Sequence, residues 1–295
     1  MRIVRYYPRA LIGDGGMTGA VRRWSQGLAE TGAEVVIAFD RGDLSVDGAG
    51  VEWIKVRHVG RKGFRIPVGL EEILAEADLI VLHSGWVSHG IRAASVARRL
   101  GIPYLLEPRG AYDPHILSRR PRLKRTWWSV WEESLVMNAR AVHVFFDEEE
   151  PHVRGLGYPG PLVVAPNGAE PGGEQWDGGS GGFLLWLGRF DPEHKGIDLL
   201  LDGLALLPRP RRPKVRLHGP DWRGRKQLVE AMVAERGLSG WVSVEEAVYG
   251  DDKLSLLRTA SGFVYPSRWD ACPNAVLEAV GMGVPTMTGP YPLGA

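Results

Sequence analysis

Two acidic side chains stand eight positions apart in the segment YPSRWDACPNAVLEAVGMGVP (265–285). Asp270 lies in a loop after an apolar strand, and Glu278 lies just over one turn into the following helix, so both can face the space above the helix N-terminus. The amides of the first helical turn lack intrahelical partners and attract an anion; they belong to Asn274, Ala275 and Val276. Two carboxylates beside an anion site suit a ligand with hydroxyls next to its phosphates. Alternatively, Asp270 is an ordinary loop residue and Glu278 an ordinary acid on a helix surface, with no role in binding.

Two cations stand at an earlier strand–helix junction, in the segment FLLWLGRFDPEHKGIDLLLDGLALLP (183–208). Arg189 leaves a very apolar strand at its carboxyl end, and Lys195 stands where the next helix starts. Together they can neutralise a diphosphate, whose charge grows as a glycosidic phosphate bond breaks. Taken separately, Lys195 also fits a solvated charge and Arg189 a structural ion pair.

The elements that must position these residues alternate between short apolar strands and longer stretches of helical period. This pattern is typical of an α/β protein with parallel sheets, whose ligands bind outside the carboxyl ends of the strands. The predicted strands are Arg2–Tyr7, Glu34–Phe39, Leu79–His83, Tyr104–Glu107, Ala141–Phe146, Leu162–Ala165, Phe183–Leu187, Lys214–His218, Val242–Glu245, Gly262–Tyr265 and Pro285–Thr288. In the second half, helices are predicted near 196–207, 224–236, 251–259 and 274–281.

A glycine-rich stretch divides the chain. Seven glycines fall within the sixteen residues Asn167–Gly182, a composition that predicts a flexible linker. We therefore expect an N-terminal Rossmann-like domain over 1–170, a linker over 171–182 and a C-terminal domain over 183–295. Two such sheets that face each other across a hinge would form a cleft.

Composition excludes several classes of function. The 295 residues include 36 Lys+Arg and 35 Asp+Glu, so the net charge of +1 gives no electrostatic support for a nucleic-acid partner. One cysteine excludes a disulfide scaffold and fits a reducing compartment. Arg2 and Arg5 interrupt the N-terminal apolar run, which predicts a first strand and not a signal peptide. We expect a cytoplasmic protein.

GRFDPEHKG and PSRWDACPNAVLEAVGMGVP together resemble glycosyltransferase family 4, whose members have the GT-B fold and are nucleotide-sugar-dependent, usually retaining transferases. The Glu-x7-Glu signature of the family stands here as Asp270-x7-Glu278, one methylene shorter at its first position. The resemblance implies that the first acid contacts the transferred sugar and the second contacts the nucleotide ribose. It also implies that Arg189 and Lys195 hold the diphosphate.

The N-terminal half resembles the family more loosely. GDGGMTGAVRRWSQGLAETGAEVVIA (13–38) is similar to a Gly-Gly loop, which implies that Gly16 approaches the diphosphate or the acceptor. PYLLEPRGAYDP (103–114) is similar to a segment that often reads Pro-His-Gly, with Arg109 in the histidine's place. At other strand ends, Gly219 is expected to let backbone approach the nucleotide. His83 is expected either to line an acceptor pocket or to serve as a packing or hydrogen-bonded histidine.

The resemblance implies a UDP- or GDP-linked sugar as co-substrate, with a sugar, lipid-linked or small-molecule acceptor. Because no Asp-x-Asp stands at a strand end, we expect no essential metal. The segment SRRPRLKRTWW (118–128) carries five basic residues and no acid, and Leu123, Trp127, Trp131 and Leu135 lie close to one stripe of the helix that follows. Such a helix can contact a membrane peripherally through 118–135, at the inner face. The alternative is a buried stripe beside a solvated basic loop.

We therefore expect a GT-B enzyme that moves a sugar from a nucleoside diphosphate to an acceptor hydroxyl. The chain stops at Ala295, soon after a strand, whereas family members usually continue. A truncated, non-catalytic nucleotide-sugar-binding protein is accordingly the second hypothesis. An epimerase that changes a sugar without any acceptor is the third.

Overall fold

The computed structural model describes residues 1–10, 15–42, 50–60, 66–168 and 175–291. The chain divides into two compact units, Met1–Gly168 and Ala169–Ala295. No helix within the described ranges is long and apolar enough to cross a membrane.

The first unit is built on a parallel sheet. Its strands are β1 (Arg2–Ala10), β2 (Glu34–Arg41), β3 (Val51–Lys55), β4 (Arg57–Val59), β5 (Ile66–Val68), β6 (Leu79–His83), β7 (Tyr104–Glu107), β8 (Ala141–Val144) and β9 (Leu162–Val164). Its α-helices are α1 (Gly15–Glu30), α2 (Leu70–Leu74), α3 (Ser88–Leu100), α4 (Pro114–Leu117), α5 (Pro121–Trp127), α6 (Glu133–Met137) and α7 (Glu150–Arg154). Among the described residues, seven strands pair in the order β3-β2-β1-β6-β7-β8-β9, and β4 and β5 form a separate antiparallel pair.

Both faces of the first sheet are covered, which explains why its central strands read as continuous apolar runs. Successive side chains of a strand point to opposite faces. On β2, Val36 and Ala38 therefore join one hydrophobic core, whereas Ile37 and Phe39 join another on the opposite face.

One helical segment of the first unit changes its winding. A π-helical turn, Trp128–Glu132, joins α5 to α6. Because this turn is wider than an α-helical turn, it shifts the faces that the residues after it present. Leu123 before the turn is 59% exposed, whereas Leu135 after it is buried. The single apolar stripe predicted from the sequence is therefore split between the surface and the core.

The second unit repeats this architecture. Its strands are β10 (Phe183–Leu187), β11 (Lys214–His218), β12 (Val242–Glu245), β13 (Gly262–Tyr265) and β14 (Thr286–Thr288). Its α-helices are α8 (Pro192–Lys195), α9 (Ile197–Leu206), α10 (Arg225–Glu235), α11 (Gly250–Thr259) and α12 (Asn274–Gly281). Its described strands form one parallel sheet in the order β12-β11-β10-β13-β14.

The predicted α/β class with parallel sheets is confirmed, with strand bounds that differ from the expected ones by a few residues at most. The sequence patterns missed β3 and the β4–β5 pair. β3 lies at the edge of its sheet, and its side chains are half-buried or exposed. It therefore lacks the strongly apolar run by which the central strands were found.

The glycine-rich stretch predicted as a linker is bound to the second unit from Trp176 onward. The Trp176 indole N–H donates to the Ala260 carbonyl at 2.7 Å, and its backbone N–H donates to Met282 at 3.0 Å. The Gly181 N–H donates to Thr259 at 2.8 Å. Residues 171–174 of the predicted linker lie outside the described residues.

Gly219 follows β11 at the carboxyl edge of the second sheet, beside the end of β10. A Cβ on Gly219 would lie 1.8 Å from the carbonyl oxygen of Gly188, which follows β10. The glycine expected to make room for a nucleotide therefore already makes room for a neighbouring backbone. In contrast, a Cβ on Gly203, in the interior of α9, would meet nothing within 4 Å.

We predict opposite effects for alanine at these two glycines. Gly219→Ala should lower the free energy of unfolding by about 1–3 kcal/mol, because backbone must move to admit the methyl group. Gly203→Ala should raise it by roughly 0.5–1 kcal/mol, because alanine loses less backbone entropy in a helix. Urea unfolding followed by circular dichroism measures both. An unchanged or higher stability of Gly219→Ala would contradict the close contact.

Candidate active site

The two segments that carry the predicted site meet at the carboxyl edge of the second sheet. Lys195 ends α8, and Gly196 follows it in a left-handed conformation with φ of 64°. A Cβ on Gly196 would lie 1.8 Å from the carbonyl oxygen of Pro266, which follows β13. Glycine is thus required here twice, by its backbone angle and by the backbone passing against it.

Hydrogen bonds fasten the loop after β13 to α8. The Ser267 hydroxyl donates to the carbonyl oxygens of His194, at 3.0 Å, and Trp269, at 2.9 Å. The Arg268 N–H donates to the same His194 carbonyl, and its guanidinium forms two 2.8 Å bonds with the Asp198 carboxylate. Two segments 75 positions apart therefore form one rigid surface.

Lys195 and Asp270 form an ion pair on this surface. Tyr265, the last residue of β13, donates a hydrogen bond to Asp270 Oδ2 at 3.0 Å, and the Lys195 ammonium lies 5.3 Å from the centre of its ring. Burial lowers the pKa of Lys195 although Asp270 opposes that change. Burial alone would raise the pKa of Asp270, but Lys195 holds it below its ordinary value. The carboxylate is therefore ionised at neutral pH, and the lysine faces it.

Arg189 is linked to the pair through His194. Its guanidinium donates to His194 Nδ1 at 3.1 Å and lies 5.0 Å from the centre of the Trp222 ring. His194 Nε2 lies 2.8 Å from the Trp269 carbonyl oxygen, and the two rings stack at 4.5 Å. An acceptor at Nδ1 and a donor at Nε2 define a neutral imidazole. Burial, followed by the neighbouring Lys195 charge, lowers the pKa of His194 to about 4.

Glu278 lies in the second turn of α12, and its carboxylate pairs with Lys253 of α11 at 2.8 Å. At the start of the same helix, Asn274 and Ala275 are partly buried. The predicted role of the Val276 amide needs correction, because this N–H donates to the Pro273 carbonyl at 3.0 Å. The same carbonyl also accepts the first helical bond, from the Leu277 N–H at 3.3 Å, so the Val276 amide is already hydrogen-bonded within the first turn.

In the first unit, His83 and Arg109 belong to a buried charge cluster with Arg5 and Glu107. The register of β6 and β7 sets His83 beside Glu107. The Glu107 carboxylate accepts from Arg5 at 2.9 Å and Arg109 at 2.8 Å, and lies 3.0 Å from His83 Nδ1. Burial alone would raise the pKa of Glu107, but the Arg5 and Arg109 charges and the His83 hydrogen bond hold it well below its ordinary value.

This cluster holds both residues considered for the acceptor side, His83 and Arg109, through internal contacts. The His83 side chain is fully buried, and that of Arg109 is 4% exposed. Burial lowers the pKa of His83 to about 4, so its ring is neutral. The alternative of a hydrogen-bonded core histidine fits this environment. Gly16, the remaining candidate of this unit, is the second residue of α1 and is exposed; residues 11–14 before it lie outside the described residues.

Sequence reasoning missed the partners that set the geometry of the Lys195–Asp270 pair and of the Glu107 cluster. Tyr265 was treated as the end of a strand and His194 as part of a polar loop. The adjacency of His194 to Lys195, and the position of Tyr265 where β13 reaches the carboxyl edge, are the signals that could have found them. Nothing in the sequence near Glu107 indicates that Arg5, 102 positions earlier, is its partner.

We predict an acid-sensitive stability that depends on His194. Its folded pKa of about 4 lies below the unfolded value of about 6.5, so the unfolded chain takes up the proton first. Stability is complete above about pH 6.5 and falls as the pH drops towards 4. From about pH 7 to about pH 5, the wild type should lose about 2 kcal/mol more than His194→Gln.

Urea unfolding at the two pH values measures this difference. His115, an exposed histidine, provides a control, because His115→Gln should retain the pH dependence of the wild type. Equal pH dependence of the wild type and His194→Gln would show that the imidazole is not held neutral.

The chain matches two protein families in sequence. Residues 15–168 match the family of Glycosyl transferase 4-like domains, and residues 182–294 match Glycosyl transferases group 1. A stretch of 107 residues is 34% identical to O-antigen chain mannosyltransferase B of Escherichia coli and covers 36% of this chain and 28% of that protein. Another stretch, of 118 residues, is 32% identical to mannosylfructose-phosphate synthase of Agrobacterium fabrum. It covers 37% of this chain and 26% of that protein. The chain thus aligns with about a quarter of the length of these relatives.

Solved structures with the same fold cover nearly the whole chain. Sucrose-phosphate synthase from Thermosynechococcus elongatus has a TM-score of 0.77 at 18% identity, over 99% of this chain and 82% of that one. HepE from Anabaena, in complex with UDP and glucose, has a TM-score of 0.75 at 15% identity, over 99% and 81%. Because two glycosyltransferase families match in order along the chain and its fold is that of GT-B enzymes, this protein belongs to glycosyltransferase family 4.

Proposed function

We propose that the protein transfers a hexose from UDP or GDP to an acceptor hydroxyl, with retention of configuration at the anomeric carbon. The observation that carries this proposal is the arrangement of Arg189, Lys195 and Asp270 on one surface at the carboxyl edge of the second sheet. The names of a mannosyltransferase relative and of the HepE complex with UDP and glucose support a hexose donor.

Each charged residue of this surface has a separate proposed role. Arg189 and Lys195 stabilise the diphosphate as the bond between the sugar C1 and the phosphate oxygen breaks, since fixed cations stabilise charge that develops in the transition state. Asp270, held by Lys195 and Tyr265, orients the hydroxyls of the sugar ring. Glu278, held by Lys253, accepts hydrogen bonds from the ribose. Gly219 and the first two residues of α12, Asn274 and Ala275, bind the rest of the donor.

Retention follows when the acceptor oxygen attacks C1 from the face that the diphosphate leaves. The acceptor loses its proton to the departing phosphate oxygen, so the products are the glycoside and the protonated nucleoside diphosphate. No protein nucleophile is required. The two cations supply the charge that a divalent metal supplies in other transferases, and we propose that addition of Mg²⁺ or Mn²⁺ leaves the rate unchanged.

Loss of Lys195 or Glu278 should impair the donor site in different ways. Lys195→Ala should reduce donor turnover by roughly 100-fold or more, because it removes a cation that stabilises the leaving group. Glu278→Ala should weaken nucleotide binding by roughly tenfold or more, because it removes a charged hydrogen-bond acceptor. Release of UDP or GDP from a panel of nucleotide sugars measures turnover, and calorimetry measures binding.

Lys214→Ala is the matched control, because Lys214 begins β11 at the opposite edge of the same sheet. This variant should retain binding and turnover, and circular dichroism should show that all three variants fold. Wild-type turnover in both site variants would refute the assignment. Binding without turnover in the wild type would favour a non-catalytic nucleotide-sugar-binding protein, and a changed sugar without acceptor would favour an epimerase.

We further propose that residues 118–135 contact a membrane that carries anionic lipids. Leu123, Val130 and Trp131 are 59%, 55% and 40% exposed, and the Trp131 ring lies 4.7 Å from that of Trp127. Exposed arginines surround these apolar side chains; they are Arg119, Arg120, Arg122 and Arg125. Basic and aromatic residues side by side suit the interface between lipid headgroups and acyl chains. A lipid-linked acceptor would be available at such a surface.

Acidic residues in this surface should weaken vesicle binding. The double variant Leu123→Glu and Trp131→Glu should bind phosphatidylglycerol-containing vesicles roughly tenfold or more weakly than the wild type, since it removes buried apolar area and adds repulsion. Leu206→Glu is the control, because Leu206 is an exposed leucine of the second unit. Cosedimentation measures the binding. Equal binding of the wild type to purely zwitterionic vesicles, or an unaffected double variant, would contradict the proposal.

A further inference from the structure

Three side chains that the proposed reaction does not use converge in the first unit. Asp40 comes from β2, His58 from β4 and His89 from the first turn of α3. One ligand atom from each lies within 4.8 Å of the other two. We call these residues the His–His–Asp cluster. It joins three elements that are far apart in the chain.

The geometry of the cluster is centred on the Asp40 carboxylate, which is buried. His58 Nε2 lies 2.8 Å from Asp40 Oδ1, and His89 Nε2 lies 3.4 Å from Asp40 Oδ2. The His58 and His89 side chains are 9% and 16% exposed. The two imidazoles thus present the same nitrogen to one carboxylate, and both side chains are mostly buried.

These separations fit a common metal ion. Tetrahedral zinc with bonds of about 2.1 Å places neighbouring ligand atoms about 3.4 Å apart. The distance from His89 to Asp40, 3.4 Å, matches that value, and the distance from His58 to Asp40, 2.8 Å, is shorter. The three ligand atoms lie within 4.8 Å of one another, so side-chain rotations would admit an ion among them. A simple Asp–His hydrogen bond would need only one imidazole. The presence of a second imidazole at the same carboxylate favours a metal site.

A further residue supports the carboxylate ligand. Tyr6 of β1 donates a hydrogen bond to Asp40 Oδ1 at 3.1 Å, and its hydroxyl lies 3.3 Å from His58 Nε2. Partners of this kind orient the ligands of metal sites and strengthen binding. Tyr6 is fully buried, so its hydroxyl is fixed in place.

We propose that the His–His–Asp cluster binds a divalent transition-metal ion, with zinc as the best fit. Imidazole nitrogens favour zinc and its neighbours, whereas calcium and magnesium require mostly oxygen ligands. Three protein ligands leave a fourth position for water. The ion connects β2, β4 and α3, and it neutralises a carboxylate that the fold buries. This role is separate from sugar transfer, which we assign to charges of the second unit.

Calorimetric titration of the metal-free, tag-free full chain with zinc chloride tests the proposal. We expect one zinc ion per chain and a rise in the thermal unfolding midpoint. Cobalt chloride should give the visible absorption of a tetrahedral or five-coordinate site. His58→Gln and His89→Gln should each weaken zinc binding by roughly 100-fold or more, and Tyr6→Phe by about 10–100-fold.

His115→Gln is the matched control. His115 Nδ1 also lies 3.0 Å from an aspartate oxygen, that of Asp113, but this pair is outside the cluster. The variant should bind zinc as the wild type does. Absence of zinc binding at micromolar concentrations would overturn the proposal, as would equal affinity of the wild type and both histidine variants. The cobalt spectrum of the wild type decides the question without variants, because a purely octahedral spectrum also contradicts the site.

Discussion

The ion pair between Lys195 and Asp270 is the constraint on which the candidate donor site depends. A buried ammonium needs a partner, because an unpaired charge in the protein interior is strongly destabilising. The partner comes from a loop 75 positions away, so α8 and the loop after β13 must stay together for the charges to be satisfied. Gly196, Ser267 and Arg268 meet this requirement through backbone contact and hydrogen bonds. The same pair that holds the two segments together therefore presents a cation and an acid side by side to a ligand.

The first unit also buries a charged side chain, but there the charge is paired entirely inside the protein. Glu107 is surrounded by Arg5, His83 and Arg109, so its carboxylate is fully compensated inside the protein. The Arg5, His83 and Arg109 side chains all contact this carboxylate, and little of their surface faces solvent. A strand end that carries charge is therefore not by itself evidence of a binding surface. What distinguishes the second unit is that Arg189 and Asp270 remain partly exposed after their internal contacts are made.

Much of the fold could be predicted because the central strands are buried on both faces and read as apolar runs, as in Leu185–Leu187. The candidate donor residues could be found because Arg189 and Asp270 lie in the loops that follow such strands. Contacts between distant segments could not be predicted, since pairing of Lys195 with Asp270 depends on β10 and β13 being neighbours in the sheet. For the same reason the pairing of Arg5 with Glu107 could not be predicted, because it depends on two strands that are far apart in the chain. The edge strand β3 was missed because it lacks a strongly apolar run.

The π-helical turn at Trp128–Glu132 has a consequence for how this segment can change. A turn of this kind contains one residue more than the α-helix needs, so it sets the rotational phase of everything that follows. Glu132, at its end, accepts hydrogen bonds from Tyr112 and Trp127, which fixes that phase. Deleting a single residue here would rewind the helix and rotate the residues after it by about 100° relative to those before it. The length of this turn, more than the identity of its side chains, decides whether tryptophans meet solvent or fill the interior.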